Sequence, residues 1–431
     1  MKLSVEGYKS IASKRSIEFN GLTVLSGANS SGKSSFMQPF LILKQTIENH
    51  YDSGTLVLDG ENIKLTDSSQ VISKVPNYKN KYFSVSLSNK SSACKVIYRY
   101  KRGKGISVDS VSMKNDKFED GLTLKLGMRS EDIEKAIPEE DFKFIKEFYE
   151  KKKQKIKWQT IREKCFISAT LSTVGKKRFP LRAGIEPTHE LKNLVTRLIH
   201  VPGLRGNPSR TYKIAASEEV YPGSFEKYVA SIITEWSQIK KYKANYDLLK
   251  SQLEDLGLAK NITTEKVNDT SVEIRVSRNK LGDDNKDCVN IADVGFGVSQ
   301  TIPVLVALIC AKKGQFVYIE QPELHLHPKA QFKLAEIIAK AVTRGVKVVI
   351  ETHSSVLLRG IQILVVKKTI GHEDISLNWF TQNCESGETE VVTAELDEFG
   401  AFGDWPEDFD DTSLTVEQMY LDAVEVAICG E

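Results

Sequence analysis

The chain has 431 residues, 27% of them charged and 40% hydrophobic, a composition that fits a soluble globular protein large enough for two lobes. Sixty Lys and Arg against fifty-seven Asp and Glu leave a formal charge of +3, too small to argue for nucleic acid on its own. Scattered cysteines without a CxxC pair, a polar stretch after Met1 and no apolar run near the roughly 20 residues of a membrane span argue against a disulfide framework, a cysteine zinc site, a signal peptide and a membrane partner, so a cytoplasmic protein is expected.

The N-terminal stretch predicts strands at Lys2–Glu6 and Ser16–Phe19, and the turn pair Asn20-Gly21 feeds a third, Leu22 to Leu25. Directly after it comes Gly27-Ala28-Asn29-Ser30-Ser31-Gly32-Lys33-Ser34, followed by Ser35 and a helical stretch over 35–50. Every fixed position of GxxxxGK[ST] is filled. Strand, glycine-rich turn and helix start aim backbone N–H groups at one point, where polyphosphate charge is met without bulky side chains in the way. Lys33 would reach the β- and γ-phosphates of ATP, and the Ser34 hydroxyl would hold Mg²⁺. An ordinary Gly/Ser turn is the plainer alternative. Further on, Thr55 to Leu58 is strand-like, and alternating runs at Tyr82–Leu87, Lys95–Lys101 and Gly105–Met113 predict a small antiparallel sheet.

The middle is richer in charge and in helical spacing. Glu131 to Lys157 carries Ile133, Ile137, Phe144, Ile145, Phe148 and Ile156 at mostly helical intervals, broken by Pro138, and a strand-like Lys164 to Leu171 follows. Its basic run, Lys151 to Trp158, is either a solvated helix face or a nucleic-acid contact in which Trp158 stacks on a base. Helices are also expected from Pro187 and over Ser224–Ile239 and Tyr242–Leu256, separated by a turn-rich loop from Val201 to Arg210. The expected organisation is therefore an N-terminal part over 1–129, an inserted, mostly helical lobe over 130–262 and a C-terminal part over 263–431. His189 and His200 read as surface or packing residues rather than ligands.

In the C-terminal part, Gly295, Gly297, Ser299 and Gln300 precede an apolar helix, again a place where N–H donors are exposed. The buried run Phe316 to Ile319 ends in Glu320, followed by Gln321-Pro322-Glu323-Leu324-His325-Leu326-His327-Pro328. A carboxylate at the C-terminal end of a parallel strand is well placed to hold Mg²⁺ near a phosphate loop. Zinc on Glu323, His325 and His327 is a weaker alternative, since the prolines favour a loop and no HExxH pair exists. A second buried strand, Val346 to Ile350, leads into Glu351-Thr352-His353-Ser354, whose His353 could contact a γ-phosphate.

These segments, in this order, resemble the prokaryotic ABC-type ATPases of the SMC, RecF and OLD-like group over roughly residues 1–60 and 270–370. The resemblance implies an α/β ABC-type ATPase head with a mixed central sheet. It makes Gly27 through Ser35 the phosphate loop, Gly295 to Gln300 the signature, Glu320 the metal carboxylate with Ser34, and His353 the switch histidine. It also implies that two heads dimerise, each signature closing over the other's ATP. Gln321 departs from the pattern, because the residue after the metal carboxylate is a water-polarising Glu in active members. Hydrolysis is then slow or conditional, or Glu323 supplies the missing carboxylate. The segment Trp405-Pro406-Glu407-Asp408-Phe409 resembles the ending of an ATPase subgroup from bacterial defence operons, and no Toprim-like stretch follows. The resemblance thus implies an anti-phage defence subunit that responds to nucleic acid or a phage component and controls a separate effector or nuclease. A DNA repair or recombination ATPase that clamps DNA is the alternative.

Overall fold

The computed structural model describes residues 1–76, 78–137, 147, 155–173, 180–215, 219–277, 287–403 and 418–419. Strands β1 (Lys2–Glu6) and β2 (Arg15–Glu18) pair antiparallel and deliver β3 (Leu22–Gly27), all six residues of which are buried. A strand without alternation is one covered on both faces. Helix α1 (Lys33–Glu48) follows, then β4 (Tyr82–Ser88), β5 (Ser92–Lys101), β6 (Gly105–Asn115) and β7 (Phe118–Lys125). With β1 and β2 they form a six-stranded antiparallel sheet in the order β2-β1-β4-β5-β6-β7, which extends the small sheet expected from the alternating runs. Thr55 to Leu58 is not a strand. Its backbone is taken up instead by Ile106 and by the side chains of Gln45 and Thr46.

The next segment departs from the expected helical lobe. After α2 (Ser130–Ala136) come β8 (Ile156–Glu163), β9 (Phe166–Thr173) and β10 (Pro180–Ile185), a three-stranded antiparallel sheet. Trp158 lies in β8 and is buried, so it is not a platform for stacking bases. Residues 151–154 of the basic run lie outside the described residues, as do Trp405 to Phe409. Helix α3 (His189–Arg197) leads into β11 (Ile199–Val201), which joins the central sheet beside a strand over a hundred residues away in sequence. Beyond β12 (Tyr212–Lys213), α4 (Glu226–Gln238) and α5 (Lys243–Asp255) match the two predicted helices, and β13 (Asn261–Asn268), β14 (Ser271–Ser277) and β15 (Val289–Asn290) close a small antiparallel sheet. Because β11 completes the central sheet, and α4 and α5 share a core with it, 130–262 is built into the head rather than inserted as a separate lobe.

Helix α6 (Phe296–Cys310), β16 (Phe316–Glu320), α7 (Pro328–Thr343), β17 (Lys347–Glu351), α8 (Ser355–Val366), β18 (Ile375–Gln382) and β19 (Thr389–Ala394) complete the head. The central sheet runs β11-β16-β17-β3-β18-β19, parallel except for the last pair. Alternation along its strands divides the interior in two. Val24, Val317, Ile319, Val348, Ile350 and Leu377 face a core with α4 to α8. Leu25, Phe316, Tyr318, Val349 and Phe380 face Phe36 and Phe40 of α1 and, beyond it, the N-terminal sheet. The architecture is thus mixed α/β around a central sheet, with α1 buried between two sheets.

Candidate nucleotide site

The loop between β3 and α1 takes its shape from residues that tolerate positive φ. Gly27 has φ 139° and Gly32 φ 103°, with Ser30 at 64° between them. A Cβ on Gly27 would lie 2.1 Å from the Phe380 carbonyl oxygen, and one on Gly32 would lie 2.3 Å from Thr389 Oγ1, so no side chain fits at either place. Thr389 props the loop from β19, donating to the Ser31 carbonyl at 2.8 Å. Ala28, Asn29 and Ser30 are exposed at the rim, whereas Ser31 and Lys33 are buried. No side chain caps α1, whose first N–H groups, at Lys33, Ser34 and Ser35, face the loop.

Lys33 Nζ lies across the loop and donates to the carbonyls of Gly27 at 3.0 Å and Ala28 at 2.7 Å. Burial pushes its pKa down, and the charge of Glu351 works against that. Ser34 Oγ donates to Glu351 Oε2 at 2.9 Å. The second Glu351 oxygen accepts from Tyr318 Oη at 2.7 Å. Burial raises the Glu351 pKa to about 7, helped by the nearby Glu320 charge and opposed by Tyr318, Ser34 and Lys33. No motif in the sequence singles out Glu351, although a carboxylate that ends a buried strand, as Glu351 ends Val346 to Ile350, is a usable signal.

Glu320 is not joined to Ser34. Its Oε1 lies 3.1 Å from His200 Nε2, and its Oε2 accepts from Gly203 N at 3.1 Å. Burial alone would raise its pKa, but His200 and the Gly203 N–H outweigh it and hold the carboxyl below the usual range. His200 is therefore a partner of this carboxylate and more than a packing residue, whereas His189 is exposed as expected. Gln321 adopts φ 45° and continues the ladder by donating its N–H to Glu351 O at 2.8 Å. Glu323 Oε1 accepts from Thr352 Oγ1 at 2.8 Å and His353 N at 3.1 Å, so it holds the segment that follows β17. Burial raises its pKa, opposed by these hydrogen bonds and by Arg205. His353 is exposed, and its pKa is lowered by partial burial and the charge of Lys33. His327 caps α7 and His325 packs on the Phe296 ring, so Glu323 and the two histidines take separate partners, not a shared zinc.

The residues expected to form a signature divide into two groups. Gly295 is the N-cap of α6, and Phe296 beside it is 51% exposed. Gly297 packs on the loop after β16, where an added Cβ would lie 3.0 Å from the His325 carbonyl. Ser299 Oγ donates to Phe296 O at 3.1 Å, closing its own turn. Gln300 is turned inward and buried, donating to the carbonyls of Arg205 and Gly206. Arg205, whose turn-rich surroundings in the sequence single out no role for it, ties this helix to the acidic strand end, because its guanidinium donates to Gln300 O, Glu320 O and Gln321 O.

A family model described as "AAA domain, putative AbiEii toxin, Type IV TA system" matches residues 22–359. No curated protein matches the chain. Among solved structures, one described as "Crystal structure of the SmcHead bound to the C-winged helix domain of ScpA" aligns at 14% identity and TM-score 0.45, covering 92% of this chain and 98% of that one. An SMC head domain from Thermotoga maritima aligns at 11% identity and TM-score 0.36, with the same coverage of 92% and 98%. The Smc head domain with an extended coiled coil bound to the C-terminal domain of ScpA, from Pyrococcus furiosus, aligns at 11% identity and TM-score 0.43, covering 97% and 98%. Among the described residues, no helix is long and apolar enough to cross a membrane.

Proposed function

The chain belongs to the AAA-domain family whose model spans its residues 22–359, and on that premise we propose that it is an ATP-binding switch of the ABC type that turns ATP over slowly until triggered. The observation that carries this reading is the gathering of Lys33, Ser34 and Glu351 at the uncapped N-terminus of α1, with an amide, Gln321, following Glu320 where a water-activating carboxylate is expected. The α1 N–H groups meet the phosphates, and Lys33 exchanges its carbonyl partners for phosphate oxygens. His353, exposed beside Lys33, contacts the terminal phosphate. Hard oxygen donors, the Ser34 hydroxyl with the Glu351 and Glu320 carboxylates, fit Mg²⁺. Mg²⁺ bound there would neutralise charge on the transferred phosphoryl group. Gln321 orients water without taking its proton, and a missing general base costs about two to four orders of magnitude in rate.

The exposed Gly295–Phe296 edge forms the lid over a second copy's nucleotide, so ATP favours a head-to-head dimer. Two settings use such a switch. In a RecF- or SMC-like setting the engaged heads close on DNA. In a defence setting, which the family's naming of an AbiEii toxin and a Type IV toxin–antitoxin system supports, the head answers to nucleic acid or a phage component and controls a separate effector or nuclease. Duplex DNA that stimulates hydrolysis by the purified chain favours the first setting; a nuclease or toxin from a neighbouring gene that copurifies favours the second. The nucleotide reading itself is tested by equilibrium titration of ATP against Lys33→Ala. Much weaker binding is expected, and unchanged affinity in a folded variant sinks the assignment.

A further inference from the structure

A cavity of about 300 Å³ opens between the loop after β11, the first turn of α4, β14 and α6, and none of residues 27–35 lines it. Val229, Ile274, Ile291 and Ile302, all buried, form its apolar wall. Asn207, Ser209 and Lys227 also line it and are exposed, so the apolar interior has a polar mouth. Two polar side chains in the wall keep a buried atom with nothing to bond to. Arg205 is only 7% exposed, and its terminal nitrogens donate to the carbonyls of Gln300, Glu320 and Gln321. Its Nε–H finds no partner among the described residues, and neither does Glu226 Oε1 at the start of α4. The two atoms therefore do not bond to each other, although Glu226 acts more strongly on the Arg205 guanidinium than any other carboxylate does. A third polar group belongs to α6. Pro303 lacks an N–H and cannot donate to the Ser299 carbonyl one turn back, and both residues line the cavity. Buried polar groups are ordinarily hydrogen-bonded, so a donor and an acceptor left over in one apolar cavity call for an occupant.

We propose that this cavity is a binding site for a small neutral heterocycle with a cyclic amide edge, the class of the nucleobases, whose carbonyl accepts from Arg205 Nε–H and whose ring N–H donates to Glu226. The apolar wall suits the faces of such a ring, and a few convergent polar groups fix its orientation, as in small-molecule sites generally. A neutral ligand fits because the guanidinium and the carboxylate already balance, and Lys227 at the mouth is paired with Glu61. The volume lies at the small end of ligand pockets, enough for a base and too little for a base with its phosphates. The rival occupant is ordered water, which would meet the same donor and acceptor. A ligand displaces such water only if it reproduces both hydrogen bonds, so removal of the ring N–H separates the two readings. This inference stands whether or not the phosphate loop binds ATP.

The test is a ligand-observed NMR titration of the full chain, without nucleotide, with uracil and with hypoxanthine up to about 1 mM. Their methylated forms, 1,3-dimethyluracil and 1-methylhypoxanthine, keep the carbonyl and lose the amide N–H. At least one of the two bases should bind saturably, and its methylated form should bind at least about tenfold more weakly. Two variants locate the site. Glu226→Leu removes the acceptor and should weaken binding at least about tenfold. Val229→Phe fills the cavity and should abolish binding. Circular dichroism checks that both fold. Glu226 Oε1 has no hydrogen bond to lose; should Glu226→Leu nevertheless not fold, Glu226→Gln takes its place, with weaker binding expected because a charge-assisted bond is lost. Failure of both bases to saturate overturns the proposal and leaves the cavity to water. So does a methylated base that binds as tightly as its parent, and so does an affinity unchanged in either folded variant, which would put the ligand elsewhere.

Discussion

Arg205 and Gln300 hold each other reciprocally, with Gln300 Nε2 donating to Arg205 O at 2.9 Å and Arg205 Nη1 donating to Gln300 O at 3.0 Å. The same guanidinium donates to the carbonyl of Glu320 at 2.8 Å, so it ties the start of α6 to the end of β16. Both side chains are buried, and three carbonyls depend on one cation.

Truncating this link should therefore be costly. Arg205→Ala removes a buried charged donor shared by the Gln300, Glu320 and Gln321 carbonyls, and we expect a loss of about 2–5 kcal/mol in unfolding free energy. Gln300→Ala should cost less, about 1–3 kcal/mol. Chemical denaturation with an unchanged m-value would measure both. A loss under 0.5 kcal/mol for Arg205→Ala, the size usual for surface changes, would show that the link carries little.

Gln321→Glu should raise basal ATP hydrolysis by about tenfold or more, since an orienting amide becomes a proton acceptor. Glu323 is already committed to Thr352 and His353, so Glu323→Gln should leave turnover of the Gln321→Glu variant within a few-fold. Steady-state phosphate release decides the matter. Abolished turnover in Glu323→Gln would instead make Glu323 the water-activating group.

Phe296 is exposed at the start of α6 and next to Gly297, where a second head would close. Light scattering of the unmodified chain should show ATP-dependent doubling of mass. Phe296→Glu should fold normally by circular dichroism and stay monomeric with ATP, because a carboxylate would face the partner's phosphates. An ATP-dependent dimer that survives this change would move the contact elsewhere.

The protonation of Glu351 sets a pH window for stability in EDTA. Facing it are Glu320, Tyr318, Ser34 and Lys33, and burial foremost lifts its pKa from 4.5 to about 7. An acid raised in the folded state stabilises fully below its unfolded pKa and loses that contribution as pH rises to the folded value. Between pH 4.5 and about 7, then, the unmodified chain loses stability that Glu351→Gln keeps. The difference in melting temperature, variant minus unmodified, should grow across that window and level off above it. A difference that stays flat with pH would mean that Glu351 is not displaced.

What the sequence determined alone was local. A glycine at φ 139° and another at φ 103° bracket a loop whose shape short-range sterics impose, and the apolar run Leu22 to Leu25 before it reads as a covered strand, so strand, glycine-rich turn and helix start were legible residue by residue. The helices over 226–238 and 243–255 were legible for the same reason, since periodicity is a property of neighbours along the chain. Tertiary structure alone decided which acid meets Ser34. Glu320 and Glu351 end equally apolar strands, and only the order β16-β17-β3, with its parallel register, brings Glu351 to the loop and leaves Glu320 with His200. β11 has three residues, too few for any period to show, yet it completes the central sheet and draws 130–262 into the head. Arg205 and Gln300 are 95 positions apart, and no spacing rule reaches that far. Their contact exists because the tertiary fold lays the loop after β11 against the start of α6, where each buried side chain finds the other's carbonyl.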